Sequence, residues 1–292
     1  MDSILNKLKQ EFNQQTVLNK LIYVNVGLFL LFSILSVFSF MFQFDLSPVL
    51  DQLYLPAENS KLLTKPWSFI TYMFLHNSFL HLLFNMLWLH FAGKIFLQYL
   101  KPKQLLITYV LGGVSGGLIF IIAYNYIPAL STNINEAETL GASAAVLAIV
   151  VAIATYSPDY NISFPFLGFI KLKHIAIFSV ILDLLSIPKG NAGGHIAHLG
   201  GALFGYLYIK QLQKGNYFFT GSTKWINNIF DFFKPKIKLK TVHKRKKSDL
   251  QYNTEKSAQQ IAVDIILEKI SKSGYESLSK EEKATLFSAS KK

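Results

Sequence analysis

Leu21–Phe42 reads LIYVNVGLFLLFSILSVFSFMF and contains no charged side chain. A helix that crosses the hydrocarbon core of a bilayer needs about 20 mostly apolar residues. This stretch meets that length, so lipid is the solvent in which the rest of the chain has to be read. The composition agrees: of 292 residues, 51% are hydrophobic and 14% aromatic, more than one ordinary soluble domain carries. The segment before it, residues 1–20, is polar and bears lysines, and the apolar run lacks a small-x-small cleavage site. It reads as an uncleaved signal-anchor helix. The chain has no cysteine, which excludes disulfides, thiolate zinc sites and a cysteine nucleophile together.

Working outward, six apolar segments can be placed, at about 21–42, 69–92, 104–127, 139–156, 174–187 and 195–210. The fifth is short and carries Asp183, with Lys171 and Lys173 placed to snorkel at the interface. An even number of spans puts both termini on one side. Eleven Lys or Arg residues between Lys210 and Lys247 follow the last apolar segment directly. Such a cluster marks the cytoplasmic side and contacts anionic lipid. The internal loops then hold Lys94, Lys101, Lys103, Lys171 and Lys173, against Lys61, Lys65 and Lys189 outside. The net charge of +12 is therefore assigned to the membrane surface and not to nucleic acid. The loop from Asp45 to Pro66 is long and partly apolar, and is expected in the outer leaflet.

Gly112, Gly113, Gly116 and Gly117 form two overlapping G-x-x-x-G pairs in the third segment, and Gly201 with Gly205 forms another in the sixth. This spacing suits close helix packing. Past Lys247 the pattern changes: Ile261, Val263, Ile265, Ile266 and Ile270 make a helical stripe, and Gly274 ends it. Ser279 and Glu282 then form a capping box for a second short helix with Leu286 and Phe287. The expected organisation is a cytoplasmic segment at 1–20, a membrane domain at 21–212, a basic juxtamembrane linker at 213–252 and a small helical hairpin at 253–292.

Ionisable side chains inside a span cost a few kcal/mol each on insertion scales, so they face the protein interior and mark function. The second segment opens with His76, His81 and Asn85, the fourth with Gly141 and Ser143, the sixth with His195 and His198. With the amino terminus inside, all three segments descend from the outer face. Their polar groups then share one depth in the outer leaflet, which implies a single water-filled cavity open to the outside.

A serine hydroxyl becomes nucleophilic when a base takes its proton, and histidine suits that task near neutrality. Ser143 stands among Gly141, Ala142, Ala144 and Ala145, which leave room for a peptide. His81 and Asn85 are four apart, hence on one helix face, and can meet the oxyanion together with the Ser143 backbone N–H. His76, rotated away from them, is expected to tie the outer loop to the helix top. His195 and His198 are three apart, so either can face segment four. His198 is assigned as the base because Gly201 lets its helix approach closely, while His195 sits at the helix mouth. Asp183 invites a third, base-orienting role, but capping of a helix end or loop is the expected use.

In these residues the chain resembles the rhomboid intramembrane serine proteases, over about positions 20–212. The match consists of His76, His81 and Asn85 in H-x-x-x-x-H-x-x-x-N, Gly141 and Ser143 in G-x-S, His198, Gly201 and Gly205 in H-x-x-G-x-x-x-G, and Trp67 in the first outer loop. The resemblance implies an all-α polytopic membrane protein with six transmembrane helices in a rhomboid-like bundle, located in the cell (inner) membrane with both termini cytoplasmic. It also implies a Ser143–His198 dyad without a catalytic acid, an oxyanion hole lined by His81 and Asn85, and single-span membrane-anchored protein substrates cut near the outer end of their helix. Three positions depart from the family pattern: Ser68 follows Trp67, Ala144 follows the serine, and Leu147 stands where some members place a tyrosine.

Two rival readings are set against this one. An inert scaffold that binds transmembrane helices would not need both Ser143 and His198. A metal enzyme or transporter built on His76, His81, His195 and His198 lacks H-E-x-x-H, and no carboxylate is expected beside the histidines. Neither a metal nor a cofactor is expected.

Overall fold

The computed structural model describes residues 6, 11–164, 168–216, 231, 233 and 249–290. The basic linker expected at 213–252, and the lipid contact assigned to it, lie largely outside the described residues. The chain forms two compact units, Met1–Ile237 and Lys238–Lys292.

The first unit is built on α1 (Val17–Phe42), α2 (Phe79–Tyr99), α3 (Pro102–Tyr126), α4 (Ser143–Tyr156), α5 (Leu172–Ser186) and α6 (Ala192–Gln213). By length and apolarity α1, α2 and α3 can each cross a membrane, whereas α4 is a shorter apolar helix of 14 residues. Their starts have local causes. The Thr16 hydroxyl accepts from Asn19 N–H at 3.2 Å and Ser78 from His81 N–H at 3.2 Å, Pro102 occupies the first turn of α3, and Asn191 accepts from Gly194 N–H at 3.3 Å.

The apolar segment expected at 69–92 is divided. Ser68–Thr71 and Tyr72–Phe74 are separate short turns, Leu75 and Ser78 are extended, and the long helix begins only at Phe79. Ser78 is the reason, because a serine cap satisfies an orphan N–H and fixes the helix start. His76 consequently lies off α2. The all-α expectation gains two small ladders. β1 (Leu55–Pro56) pairs with β2 (Glu138–Thr139), and β3 (Asn161–Phe164) with β4 (Gly168–Lys171), both antiparallel. Buried backbone groups need partners, and at Leu55–Pro56, buried at both positions, the first ladder supplies them.

At the centre is α4, buried at every position from Ala144 to Ala154. Glycines on its neighbours allow this. A Cβ added at Gly112 would lie 2.3 Å from Ala148 Cβ, and one at Gly116 would lie 2.6 Å from Ala144 Cβ. On α6 the approach is to backbone: added Cβ atoms would lie 2.1 Å from the Ala144 carbonyl oxygen at Gly201 and 2.2 Å from that of Ala148 at Gly205. Real side chains never come so close, so both helices touch α4 where glycine removes the Cβ. Gly113 and Gly117 face Met73 and Leu55 instead. Outward, α1 shows Leu30, Ile34 and Phe38, and α5 shows Phe178, Ile181 and Leu185, all exposed, a surface suited to lipid.

The end of α4 away from Ser143 carries an aromatic and charged belt. Tyr99 packs on Tyr156 and Tyr160 with ring centroids 5.8 and 6.3 Å apart. Lys171 and Lys173, expected to snorkel, pair with Asp159 at 3.0 and 2.8 Å. Hydrogen bonds from Lys173 and Lys171 hold the Asp159 carboxyl at about 2.

The long segment between α1 and α2 is pinned to the chain just ahead of α4. The buried Lys65 ammonium donates to the Asp51 carbonyl and to Glu138 Oε1 at 3.2 Å, and Trp67 Nε1 donates to the Gln52 carbonyl at 2.8 Å. Lys65→Met keeps most of the stem and removes these bonds. It is expected to cost about 1.5–3 kcal/mol, read as a lower melting temperature in detergent and faster protease nicking between residues 43 and 78. Unchanged values would mean that β1 and β2 alone hold the segment.

In the second unit, α7 (Asp249–Ser273) ends at Gly274, which takes φ +77 and donates its N–H to the Ile270 carbonyl at 2.8 Å. It is followed by α8 (Lys280–Ser290). Ser279 N–H donates to Glu282 at 2.7 Å and Glu282 N–H to the Ser279 hydroxyl at 3.2 Å, forming the capping box. Lys269 reaches Glu282 at 2.9 Å and ties the two helices.

Candidate active site

Ser143 is the first residue of α4, held there by the chain before it. Gly141 takes φ +121, a conformation that L side chains rarely adopt, and its N–H donates to the Tyr72 carbonyl at 2.9 Å. Glycine is needed for space as well, since a Cβ there would lie 2.9 Å from His81 Nε2 and 3.6 Å from Ser143 Oγ. Tyr72 is anchored in turn by its hydroxyl, which donates to the Gly113 carbonyl at 2.6 Å. Tyr109 donates to the Met73 carbonyl at 3.2 Å and accepts from Asn25 at 3.1 Å. Side chains of α1 and α3 thus brace the turn that presents the serine.

His198 stands in the second turn of α6, with Nε2 2.6 Å from Ser143 Oγ. The glycine contact at Gly201 makes this short reach possible, because a wider α4–α6 spacing would carry the ring away from the hydroxyl. On its other side His198 Nδ1 lies 2.8 Å from Asp183 Oδ1, and His195 Nδ1 lies 2.8 Å from the same oxygen. Here the sequence reading is corrected twice. Asp183 bonds both histidines while Asn191 caps α6, and a carboxylate does sit with the histidines, their three ligating atoms lying within 4.8 Å of one another. A buried carboxylate needs donors, and the turn Ile187–Lys189 folds α6 back so that its first histidines supply them. The aspartate within an apolar segment was the available signal; its partners across the turn were not legible.

His81 and Asn85 occupy the first two turns of α2 on one face. His81 Nδ1 is 3.1 Å from Asn77 Oδ1, and Asn85 Nδ2 donates to the His81 carbonyl at 3.0 Å. His76 packs edge-on against His81, ring centroids 5.0 Å apart, and its buried nitrogens have no hydrogen-bond partner among the described residues. His76 also borders a small cavity with Leu50 and Tyr54 of the segment between α1 and α2, so it stands between that segment and His81. Asn77 and Tyr72 were not singled out in the sequence, because each acts through a backbone turn that only the fold defines.

His81, Asn85, Ser143 and His198 line one cavity of about 740 Å³, which Trp88 and Glu138 also border. The first N–H groups of α4 have no partners within the helix, and a helix amino terminus favours negative charge. The site therefore combines a hydroxyl, a base on it, and donors where negative charge can develop, which is the equipment of acyl transfer.

Fold and site together define a helical membrane protein with a serine–histidine pair on two tightly packed helices. The chain belongs to the rhomboid family: the family model described as Rhomboid domain matches residues 63–214, just over half of the chain. A second model, described as a family of unknown function (DUF6576), matches residues 246–292. Among relatives, RHOMBOID-like protein 12, mitochondrial, of Arabidopsis thaliana is 29% identical over 159 residues, covering 51% of this chain and 47% of that one. Rhomboid protease GlpG of Yersinia pseudotuberculosis serotype I (strain IP32953) is 26% identical over 149 residues, covering 51% and 49%. Presenilin-associated rhomboid-like protein, mitochondrial, of Homo sapiens is 29% identical over 153 residues, covering 51% and 38%. The chain spans about half or less of the length of these curated relatives.

Proposed function

We propose that the chain is an intramembrane serine endopeptidase in which Ser143 attacks the scissile carbonyl and His198 takes the hydroxyl proton, then gives it to the leaving amine. The observation that carries this reading is the 2.6 Å contact between Ser143 Oγ and His198 Nε2 inside a cavity shared with His81 and Asn85. His81, Asn85 and the Ser143 N–H receive the oxyanion, a neutral-to-anionic change that fixed donors stabilise more in the transition state than in the substrate.

The six helices of the first unit belong to its six membrane segments, α1, α2 and α3 being long enough to cross by themselves, with both termini cytoplasmic in the cell (inner) membrane. At about 1.5 Å per residue, the 14 residues of α4 reach only about 21 Å of the roughly 30 Å hydrocarbon core. With the tyrosine and lysine belt anchored at the cytoplasmic interface, Ser143 begins below the outer headgroups. Its substrates are accordingly membrane-anchored, single-span proteins whose helix unwinds near the outer face. Residues 1–20 form a cytoplasmic segment, 21–212 the protease domain, 213–252 a basic linker on anionic lipid and 253–292 a separate helical hairpin.

The test is labelling of the purified chain in detergent with a fluorophosphonate or an isocoumarin. Wild type is expected to label, and Ser143→Ala and His198→Ala are not. His81→Ala and Asn85→Ala are each expected to lower kcat on a transmembrane substrate by about 10²–10³-fold. Equal labelling of wild type and Ser143→Ala would contradict the assignment.

A further inference from the structure

Asp183 lies near the end of α5, inward of a face made by Phe178, Ile181 and Leu185. A carboxylate in that position is costly unless donors meet it. It is buried, and a single oxygen, Oδ1, lies 2.8 Å from both His195 Nδ1 and His198 Nδ1, the two rings standing at 82°. A carboxylate can only accept, and a neutral imidazole carries its proton on one nitrogen. A proton on His198 Nδ1 directed at Asp183 leaves Nε2 unprotonated, which is the state that accepts from Ser143. The His195 proton on Nδ1 likewise points at the carboxylate, so the oxygen is bracketed by two donors from successive turns of one helix face.

We propose that Asp183 is a positioning residue that fixes the ring orientation and tautomer of His198 through Nδ1, with His195 as the second donor that holds the same carboxylate oxygen in place. This rests on the Ser143–His198 reading and replaces the two-residue arrangement that the family resemblance implied with a relay of Asp183, His198 and Ser143. Asp183 touches no substrate. As His198 gains the Ser143 proton at Nε2 it becomes an imidazolium whose Nδ1–H faces a carboxylate, and the proton on Nδ1 stays on His198 throughout. Because Asp183 belongs to α5 and His198 to α6, the base is oriented only while those two helices are docked.

The experiment uses the full chain in detergent with a fluorogenic transmembrane substrate, together with ¹⁵N spectra of labelled histidine in which His198→Gln identifies the His198 signals. Asp183→Asn is expected to lower kcat by about 10²-fold or more with KM within about threefold, and to move His198 from the Nδ1–H toward the Nε2–H tautomer. His195→Asn, which keeps a donor near the Nδ1 position, is expected to retain more activity than His195→Ala. Should Asp183→Asn fail to fold, the His195 pair and Asp183→Glu carry the test by the same kcat and tautomer readouts. Asp183→Asn with kcat within twofold of wild type and an unchanged tautomer, beside an inactive Ser143→Ala, would overturn this inference and leave the protease reading standing. Cleavage by Ser143→Ala at the wild-type rate would overturn the protease reading itself. Activity lost to a chelator and restored by zinc would overturn the inference too, since the three ligating atoms would then serve a metal.

Discussion

Ser143→Ala, His198→Ala and the double variant are expected to fall to the same floor of activity, with the second substitution adding nothing to the first. The hydroxyl is a weak nucleophile until the imidazole nitrogen 2.6 Å away accepts its proton, and the imidazole has no reaction of its own without the hydroxyl. Two groups that act only as a pair are not additive; where such a pair has been dismantled in other serine enzymes, either loss alone approaches the cost of losing all, about 10⁶-fold in kcat. The donors of His81, Asn85 and the α4 amino terminus remain in each variant, so the floor lies above the uncatalysed rate. The measurement is kcat/KM for a transmembrane substrate in proteoliposomes, with melting curves to show that each variant is folded. Residual activity of His198→Ala that a further His195→Ala removes would show that the ring one turn earlier substitutes as base.

The sequence carries most of this site because the membrane makes polar residues conspicuous. His81, Asn85, Ser143 and His198 stand out in apolar segments, and one cavity gathers them. The glycine spacing on α3 and α6 was also legible, since a helix that must touch a neighbour's backbone needs small residues at four-residue intervals. What sequence does not show is orientation about a helix axis when the partner is unknown. Gly112 and Gly116 turned out to face α4 while Gly113 and Gly117 face the 43–78 segment, although all four belong to the same motif.

The two places where sequence reading went astray have one cause. At Leu75–Phe79 an apolar run looked continuous, but Ser78 provides a cap that outweighs the hydropathy, and His76 leaves the helix. At Asp183 the 12 and 15 residues that separate it from His195 and His198 pass through a turn containing Pro188, Gly190 and an Asn191 with φ +49. Apolar periodicity says nothing about how such a turn redirects the chain. Whether two helix ends meet side to side or splay apart is decided by a few backbone angles, and here those angles bring the histidines back onto the carboxylate.

Gly201→Ala and Gly205→Ala are the same chemical change on one face of α6, and they are expected to separate stability from catalysis. Each added Cβ would overlap a carbonyl oxygen of α4, at 2.1 Å from Ala144 and 2.2 Å from Ala148, and backbone cannot rotate out of the way as a side chain can. Relief requires α6 to move outward from α4, an overpacking cost of about 1–3 kcal/mol at either position. Ala144 is the residue next to the nucleophile, so the displacement at Gly201 opens the 2.6 Å contact between Ser143 and His198 directly. A shift near 1 Å at reacting groups lowers rates by about 10²-fold. Gly205 is one turn farther from the site, where the same outward movement is met by Gly112 packed on Ala148 and reaches His198 only as a small tilt. The expected result is a similar fall in melting temperature for the two variants, with kcat reduced by about 10²-fold in Gly201→Ala and by less than tenfold in Gly205→Ala. Equal losses of kcat would mean that α6 moves as a rigid rod, and equal retention would mean that the dyad tolerates a wider helix spacing than its geometry suggests.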